Sequence, residues 1–352
     1  MTQPVAANGR PRLGFLGLGW IGRHRLRAIV ESGAGEVAAL ADVDPTALAE
    51  ARTLAPDAQV AGSLESLLEM SLDGVVIATP SALHARETAR ALSGGCAVFC
   101  QKPLGRDASE VESVIAVARE HDRLLGVDFS YRYTEGMQRA RELVRSGELG
   151  KVYAVDLTFH NAYGPDKPWF YDATQSGGGA LMDLGIHLVD LALWVLDFPE
   201  PHGVASQLYA KGSRLPRASV RSLEQPVEDY VTSHLTFERD LTMHLTCSWR
   251  LHAGQDCVIR AAFYGERGAV SFHNVGGSFY DFEAELYRGT SRQLLASPPE
   301  PWGGRAAVAW VQQLARSPHF DPECRRLLTV SRVLDRIYAA PELAGSEAPC
   351  AS

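Results

Sequence analysis

Cysteine is scarce in this chain, positive charge is outnumbered, and no long apolar run goes uninterrupted. Six cysteines stand among 352 residues, with no C-x-x-C pair and no clustering with histidine at zinc-ligand spacing. That pattern argues against a disulfide framework or a metal site and for reduced thiols in a cytoplasmic protein. Cys96 and Cys100 face one side of a strand and read as small buried thiols. Lysine and arginine total 34 against 42 acidic residues, and the formal net charge of -8 repels phosphate backbones and anionic lipid. No nucleic-acid partner and no membrane partner is expected. The longest apolar stretch, Gly177 to Leu196, contains Asp183, His187 and Asp190, so a membrane span there would bury three ionisable groups. It reads as a buried helix of a folded protein. Met1 to Pro11 is polar and lacks the apolar core of a secretory signal, so residues 1–10 are expected to be a disordered leader.

What is present is an ordinary globular composition, 46% hydrophobic and 22% charged, on a chain too long for one core. The runs Leu13 to Leu16, Val37 to Ala41, Val75 to Ala78, Ala97 to Cys100 and Leu124 to Phe129 are short and apolar on both faces. With helical segments between them they predict a doubly wound parallel sheet covered by helices. Asp44-Pro45 starts one helix, Asp107 and Glu110 form a capping box for another, and Glu135 to Ser146 is a helix closed by Gly147. After Gly150 the texture changes to longer alternating runs: Val152 to Phe159, Tyr230 to Phe237, Leu241 to Trp249 and Val258 to Tyr264. These predict an open, largely antiparallel sheet with turns at Glu238-Arg239-Asp240 and Gly265-Glu266-Arg267-Gly268. Helices over Arg305 to Arg316 and Pro322 to Ala340 are expected to pack back on the body. The predicted organisation is a Rossmann domain over 11–130, an α+β substrate and oligomerisation domain over 131–340, and a loose tail over 341–352.

Gly17-Leu18-Gly19-Trp20-Ile21-Gly22 follows the first strand and opens a helix. Gly17 permits the tight turn, Gly19 lets backbone approach a pyrophosphate, and Gly22 allows close helix packing beneath an anion held by free N–H groups. Trp20 and Ile21 complete the expected dinucleotide loop. Asp42 ends the next strand, where a carboxylate accepts from a ribose and repels a 2′-phosphate; with no Arg or Lys from Val43 to Ala51, NAD is favoured over NADP. Thr79-Pro80 closes the fourth strand, at the carboxyl edge where cofactors lie, and His84 follows it. Arg23, Arg25 and Arg27 give the loop helix a basic start, read as a solvated face. Lys102 sits after the strand ending at Cys100, where the positive charge of an oxidised nicotinamide favours a neutral amine able to exchange a proton with a substrate hydroxyl. Asp183 and His187 lie four apart on one face of a helix that Gly177-Gly178-Gly179 introduces. A carboxylate one turn from an imidazole can orient it or hold a substrate hydroxyl.

The glycine loop, Gln101-Lys102-Pro103 and Asp183-Leu184-Gly185-Ile186-His187, in this order, resemble the Gfo/Idh/MocA family of sugar, inositol and polyol dehydrogenases over nearly the whole chain. Thr79-Pro80-Ser81 with His84 is similar to the family's Thr-Pro-x-x-x-His. The resemblance implies hydride transfer between NAD and a secondary carbinol of a sugar, inositol or aminocyclitol. Lys102, Asp183 and His187 are the implied catalytic residues, with Gln101 and His84 on the cofactor side. A homodimer or homotetramer through the C-terminal sheet is the implied assembly. Gln101 replaces the family's usual glutamate, removing a negative charge beside Lys102. Tyr131-Arg132-Tyr133 resembles an aromatic-Arg segment used to pack the nicotinamide or the domain contact. Tyr163, Lys167 and Trp169 lie in a loop rich in hydroxyl-binding groups and aromatic faces and are candidates for substrate binding. Two other functions fit the same architecture: an NAD-dependent glycosidase and a non-catalytic dinucleotide sensor.

Overall fold

The computed structural model describes residues 9–216 and 226–340; the expected tail, and all but Gly9 and Arg10 of the expected leader, lie outside them. The chain forms two compact units. One runs through Thr134 and takes in Gln175–Gly177 and Pro301–Ser331; the other holds Glu135–Thr174, Gly178–Glu300 and the chain from Arg332 on.

In the first unit, β1 (Arg12–Leu16), β2 (Glu36–Ala41), β3 (Gln59–Val60), β4 (Gly74–Ile77), β5 (Ala97–Cys100) and β6 (Leu125–Val127) form a parallel sheet in the order β3-β2-β1-β4-β5-β6. The helices between them are α1 (Trp20–Ser32), α2 (Pro45–Leu54), α3 (Leu64–Leu68), α4 (Ser81–Ser93) and α5 (Ala108–Glu120). The strands stay short because both faces are buried, and each apolar run is only as long as the layer it crosses. β1 pairs with both β2 and β4, so the strand order reverses at its carboxyl end, the place where open α/β sheets bind ligands. β3, two exposed residues, is too short to leave a periodic signal. The sixth strand ends earlier than expected: Asp128 N–H makes a last bond to the Cys100 carbonyl at 2.9 Å, and Ser130–Tyr133 then turns as a 3₁₀ helix.

Asp44 caps α2 by accepting from Thr46 N–H at 2.8 Å. Asp107 caps α5 likewise, accepting from Glu110 N–H at 2.9 Å. The expected reciprocal half of that box is missing: the Glu110 carboxylate instead takes Arg106 N–H at 2.7 Å together with its guanidinium. An arginine one residue upstream outcompetes a cap amide because its bond joins two full charges.

The second unit opens with α6 (Glu135–Arg145), then β7 (Val152–Asn161), a short α7 (Ala173–Ser176), a π-helical turn over Leu181–Gly185, and α8 (Ile186–Val195). Strands β8 (Gly203–Ala210), β9 (Ser213–Arg214), β10 (Tyr230–Thr236), β11 (Thr242–Ser248), β12 (Cys257–Gly265), β13 (Ala269–Asn274), β14 (Phe282–Arg288) and β15 (Ser291–Ala296) complete it. They form a nine-stranded sheet in the order β15-β14-β13-β12-β7-β11-β10-β8-β9, antiparallel except for β7 with β11. Helices α6 and α8 cover one face, and alternation puts Val155, Leu157, Phe159, Leu245 and Phe263 under them. Thr158, Thr232 and Thr246 take the other face, half-buried. Ala173–Val195 is, among the described residues, the one stretch long and apolar enough to cross a membrane, and 89% of its most apolar window is buried within the fold. The closing helices are α9 (Arg305–Arg316) and α10 (Arg326–Ala339). α9 packs in the first unit, with the Trp310 ring 5.6 Å from that of Phe99.

All five described cysteines are buried and unpaired. Burial pushes the Cys96 thiol up to about 11 and the Cys100 thiol up to about 12, so neither forms the reactive thiolate near neutral pH.

Candidate active site

The glycine loop joins β1 to α1 as the spacing requires. Gly17 has φ 88°, and a Cβ there would stand 2.5 Å from the Ala78 carbonyl carbon; one on Gly22 would stand 2.2 Å from the Gly17 carbonyl oxygen. Above Gly19 the space is open. No side chain caps α1 and its first turn carries no acid, so its leading N–H groups suit an anion. The loop therefore fits a dinucleotide pyrophosphate. Trp20 is 60% exposed beside it, its ring 5.6 Å from that of His24, and Ile21 is half-buried. Asp42 braces the loop from behind: one carboxylate oxygen accepts from Leu18 N–H and the other from Asp44 N–H at 2.8 Å. Each oxygen keeps a lone pair for a ribose hydroxyl.

At the ends of β4 and β5, Thr79 donates its hydroxyl to Glu87 at 2.5 Å, and the exposed Pro80 starts α4. His84 is 2% exposed, with Nε2 2.6 Å from the Thr79 carbonyl oxygen and Nδ1 2.7 Å from that of Pro103. Burial holds this imidazole below its usual range, against the two carbonyls, which favour the protonated ring; the nearby Lys102 charge adds to the lowering. His84 thus ties the end of β4 to the residue after Lys102. Lys102 itself is half-buried, its N–H donating to the Gln101 side-chain oxygen at 3.1 Å. Gln101 Nε2 donates to Asp128 at 2.8 Å. Asp128 in turn pairs with Arg25 at 2.5 Å, and both are buried, at 1% and 6% exposure. The solvated reading of Arg25 is therefore wrong. With Gly22, Leu26 and Ile29 it forms the buried stripe of α1, a face the spacing alone marks.

In the second unit every residue from Ala180 to Val195 is buried except Asp183 and His187, which are half-buried. The segment is a π turn followed by an α-helix rather than one regular helix: Ile186 N–H bonds to Leu181 O, five residues back, so Asp183 lies within the wider turn. Asp183 accepts from Trp249 Nε1 at 3.2 Å, a partner the sequence reading did not single out. The signal was available, since Trp249 shares the inward parity of Met243, Leu245 and Cys247 in β11. Glu228 leaves no such signal. It is buried, and one of its oxygens accepts from Gly179 N–H at 2.9 Å, Leu181 N–H at 3.0 Å and the Tyr338 hydroxyl at 2.7 Å. Its backbone carbonyl lies where a Cβ on Gly179 would be 1.9 Å away, which accounts for the glycine run ahead of Asp183.

The substrate-loop candidates separate. Trp169 stacks on Phe170 at 3.8 Å, and Phe170 and Tyr171 meet the edge of Trp249 at 6.4 and 5.5 Å. An aromatic wall thus reaches the residue that holds Asp183. Tyr163, 51% exposed, packs on Phe279 instead, and Lys167 is exposed and pairs with its neighbour Asp166 at 3.3 Å.

Residues 12–129 match the oxidoreductase-family NAD-binding Rossmann fold and residues 137–271 the GFO/IDH/MocA C-terminal domain. A D-glucoside 3-dehydrogenase of Escherichia coli (strain K12) is 26% identical over 234 residues, 65% of this chain but under two thirds of that one, at 64%. An oxidoreductase-subunit relative from Amycolatopsis mediterranei (strain S699) is 30% identical over 256 residues, 70% of each chain. Two crystal structures share the fold across nearly the whole length. GenD2 from gentamicin A biosynthesis, in complex with NAD, has a TM-score of 0.76 and 23% identity over 97% of this chain and 96% of its own. KijD10, a 3-ketoreductase from Actinomadura kijaniata in complex with NADP, has a TM-score of 0.78 and 22% identity over 95% and 98%. With both domains matched in order and the glycine loop, Lys102 and the Asp183–His187 helix in place, the chain belongs to the Gfo/Idh/MocA oxidoreductase family.

Proposed function

We propose that the protein is an NAD-dependent dehydrogenase or ketoreductase acting on a secondary carbinol of a sugar, inositol or aminocyclitol. The observation that carries this reading is the selective opening of Asp183 and His187 on a helix otherwise buried from Ala180 to Val195. Placing two half-buried ionisable groups in so apolar an element carries a desolvation cost that a substrate contact explains. NAD, when bound through the Gly17–Gly22 loop, supplies the acceptor for the carbinol hydride. His187 takes the hydroxyl proton, an imidazole being matched to transfer near neutrality. Lys102 holds the carbinol oxygen and stabilises its developing negative charge, and in the reverse direction the two groups protonate the alkoxide. Asp183 orients the substrate, steadied by Trp249, and the Trp169–Phe170–Trp249 wall offers apolar faces to a polyol ring. Asp42 supports NAD over NADP, since a carboxylate beside the adenosine ribose would repel a 2′-phosphate. The working form is a cytoplasmic homodimer or homotetramer joined through the outer face of the nine-stranded sheet.

The test is NADH absorbance with purified protein and a panel of inositols, aminocyclitols, hexoses and sugar acids, run with NADP in parallel. Growth of signal with NAD on a cyclitol or sugar is the expected result. His187→Ala is expected to lose at least 100-fold in turnover while binding NAD as before. Wild-type turnover in that variant, or no signal across the panel despite NAD binding, would overturn the reading.

A further inference from the structure

Lys102 is held by a chain of side chains whose far end is a buried ion pair. Asp128, the residue after β6, is 1% exposed, and Arg25, from α1, donates Nε to its Oδ2. Ser130 donates its hydroxyl to Oδ1 and itself accepts from Arg25 Nη2 at 2.8 Å. The remaining approach to Oδ2 is taken by Gln101 Nε2 at 2.8 Å, and the Gln101 oxygen accepts from Lys102 N–H at 3.1 Å. A carboxylate accepts and never donates, and a backbone N–H donates and never accepts, so the amide fits in one orientation only. Both ends of Gln101 agree on that orientation. An acid at position 101 would set two acceptor-only groups 2.8 Å apart in a buried place where one guanidinium already balances one carboxylate. The buried negative charge of this chain stands at residue 128, where Arg25 neutralises it.

We propose that Asp128, paired with Arg25, is the positioning residue for Lys102, acting through the Gln101 amide, and that position 101 requires an amide for that reason. The proposal rests on the reading of Lys102 as the group that holds the substrate oxygen. His84 braces the next residue by its contact with the Pro103 carbonyl, so the backbone of Lys102 is held on both sides.

The experiment compares the full-length wild type with Q101E, D128N, the swap Q101E/D128N, and K102A. It reads kcat, NAD affinity, and the rate at which acetic anhydride labels the Lys102 amine, followed by peptide mass spectrometry. Q101E is expected to lose at least tenfold in kcat and to shift the labelling rate severalfold, with the kcat loss persisting at saturating NAD. The swap restores one carboxylate and one amide between the two positions and is expected to recover most of both losses. Q101E with wild-type kcat and labelling, or a swap no better than Q101E alone, would overturn the proposal. If K102A keeps its turnover while labelling still responds to Q101E and recovers in the swap, the positioning chain stands and the assignment of Lys102 to the reaction falls. Should Q101E fail to fold, a folded swap supports the proposal and an unfolded one overturns it.

Discussion

Single side chains in this protein answer to their acceptors and donors more than to their own type. Gln101 is an amide because Asp128 can only accept, and Asp183 is steadied by an indole that can only donate. Removing that indole N–H while keeping the ring isolates its worth. Trp249→Phe retains the edge contacts with Phe170 and Tyr171 and is expected to lower kcat/KM about tenfold, equivalent to about 1.4 kcal/mol for one hydrogen bond to a charged group. Steady-state kinetics with the best substrate checks it, and an unchanged kcat/KM would remove Trp249 from the site. The candidacy of Lys102, Asp183 and His187 is legible in the sequence: helical spacing marks the last two, and a strand end together with the family resemblance marks the lysine. The roles of Asp128, Glu228 and Arg25 are not, since each comes from a partner at least 27 residues away along the chain.

Among the elements, the turn that leads into α8 depends most on one buried group. Glu228 gathers three donors onto one oxygen, and two of them are backbone N–H groups at the start of the segment that presents Asp183. Glu228→Ala would strand those donors and is expected to cost about 3 kcal/mol, whereas Glu228→Gln keeps an accepting oxygen and should cost about 1 kcal/mol or less. Burial raises the Glu228 carboxyl above its ordinary range. The favourable contribution of the protonated side chain is therefore full below the unfolded value of about 4.3 and is lost as pH rises through the higher folded value. Denaturant unfolding of wild type and Glu228→Gln across that range is expected to show the wild type losing ground to the variant as pH rises. Parallel curves would mean that Glu228 titrates as it does in the unfolded chain. The same segment shows why element boundaries were harder to read than element types. Apolar spacing predicts a helix from the glycines onward, but the π turn at Leu181–Gly185 has no composition of its own.

For the whole molecule, the two-sheet architecture follows from two textures of apolar residues. Runs buried on both faces make the parallel sheet, and alternating runs make the antiparallel one. The second sheet has helices over one face, and its other face carries Thr158, Thr232 and Thr246 side by side on neighbouring strands. If that face joins subunits as proposed, Thr158→Lys at its centre sets like charges against each other across the contact. Light scattering is then expected to find a dimer or tetramer for the wild type and a smaller species for the variant. A wild-type monomer, or a variant of unchanged mass with Thr158→Lys folded, would place the contact elsewhere or nowhere.

The sequence by itself determined the order of the two sheets and the glycine loop, and it marked the three side chains proposed to react, because periodicity, glycine placement and strand-end position are local properties that chain order preserves. Tertiary structure alone decided which of these groups are held and by what. The pairing of Arg25 with Asp128, the grip of Glu228 on Gly179 and Leu181, and the opening of Asp183 and His187 on a buried helix all arise when distant segments close on one another. Burial and hydrogen-bond partnership depend on neighbours in space, and spacing along a chain does not encode them.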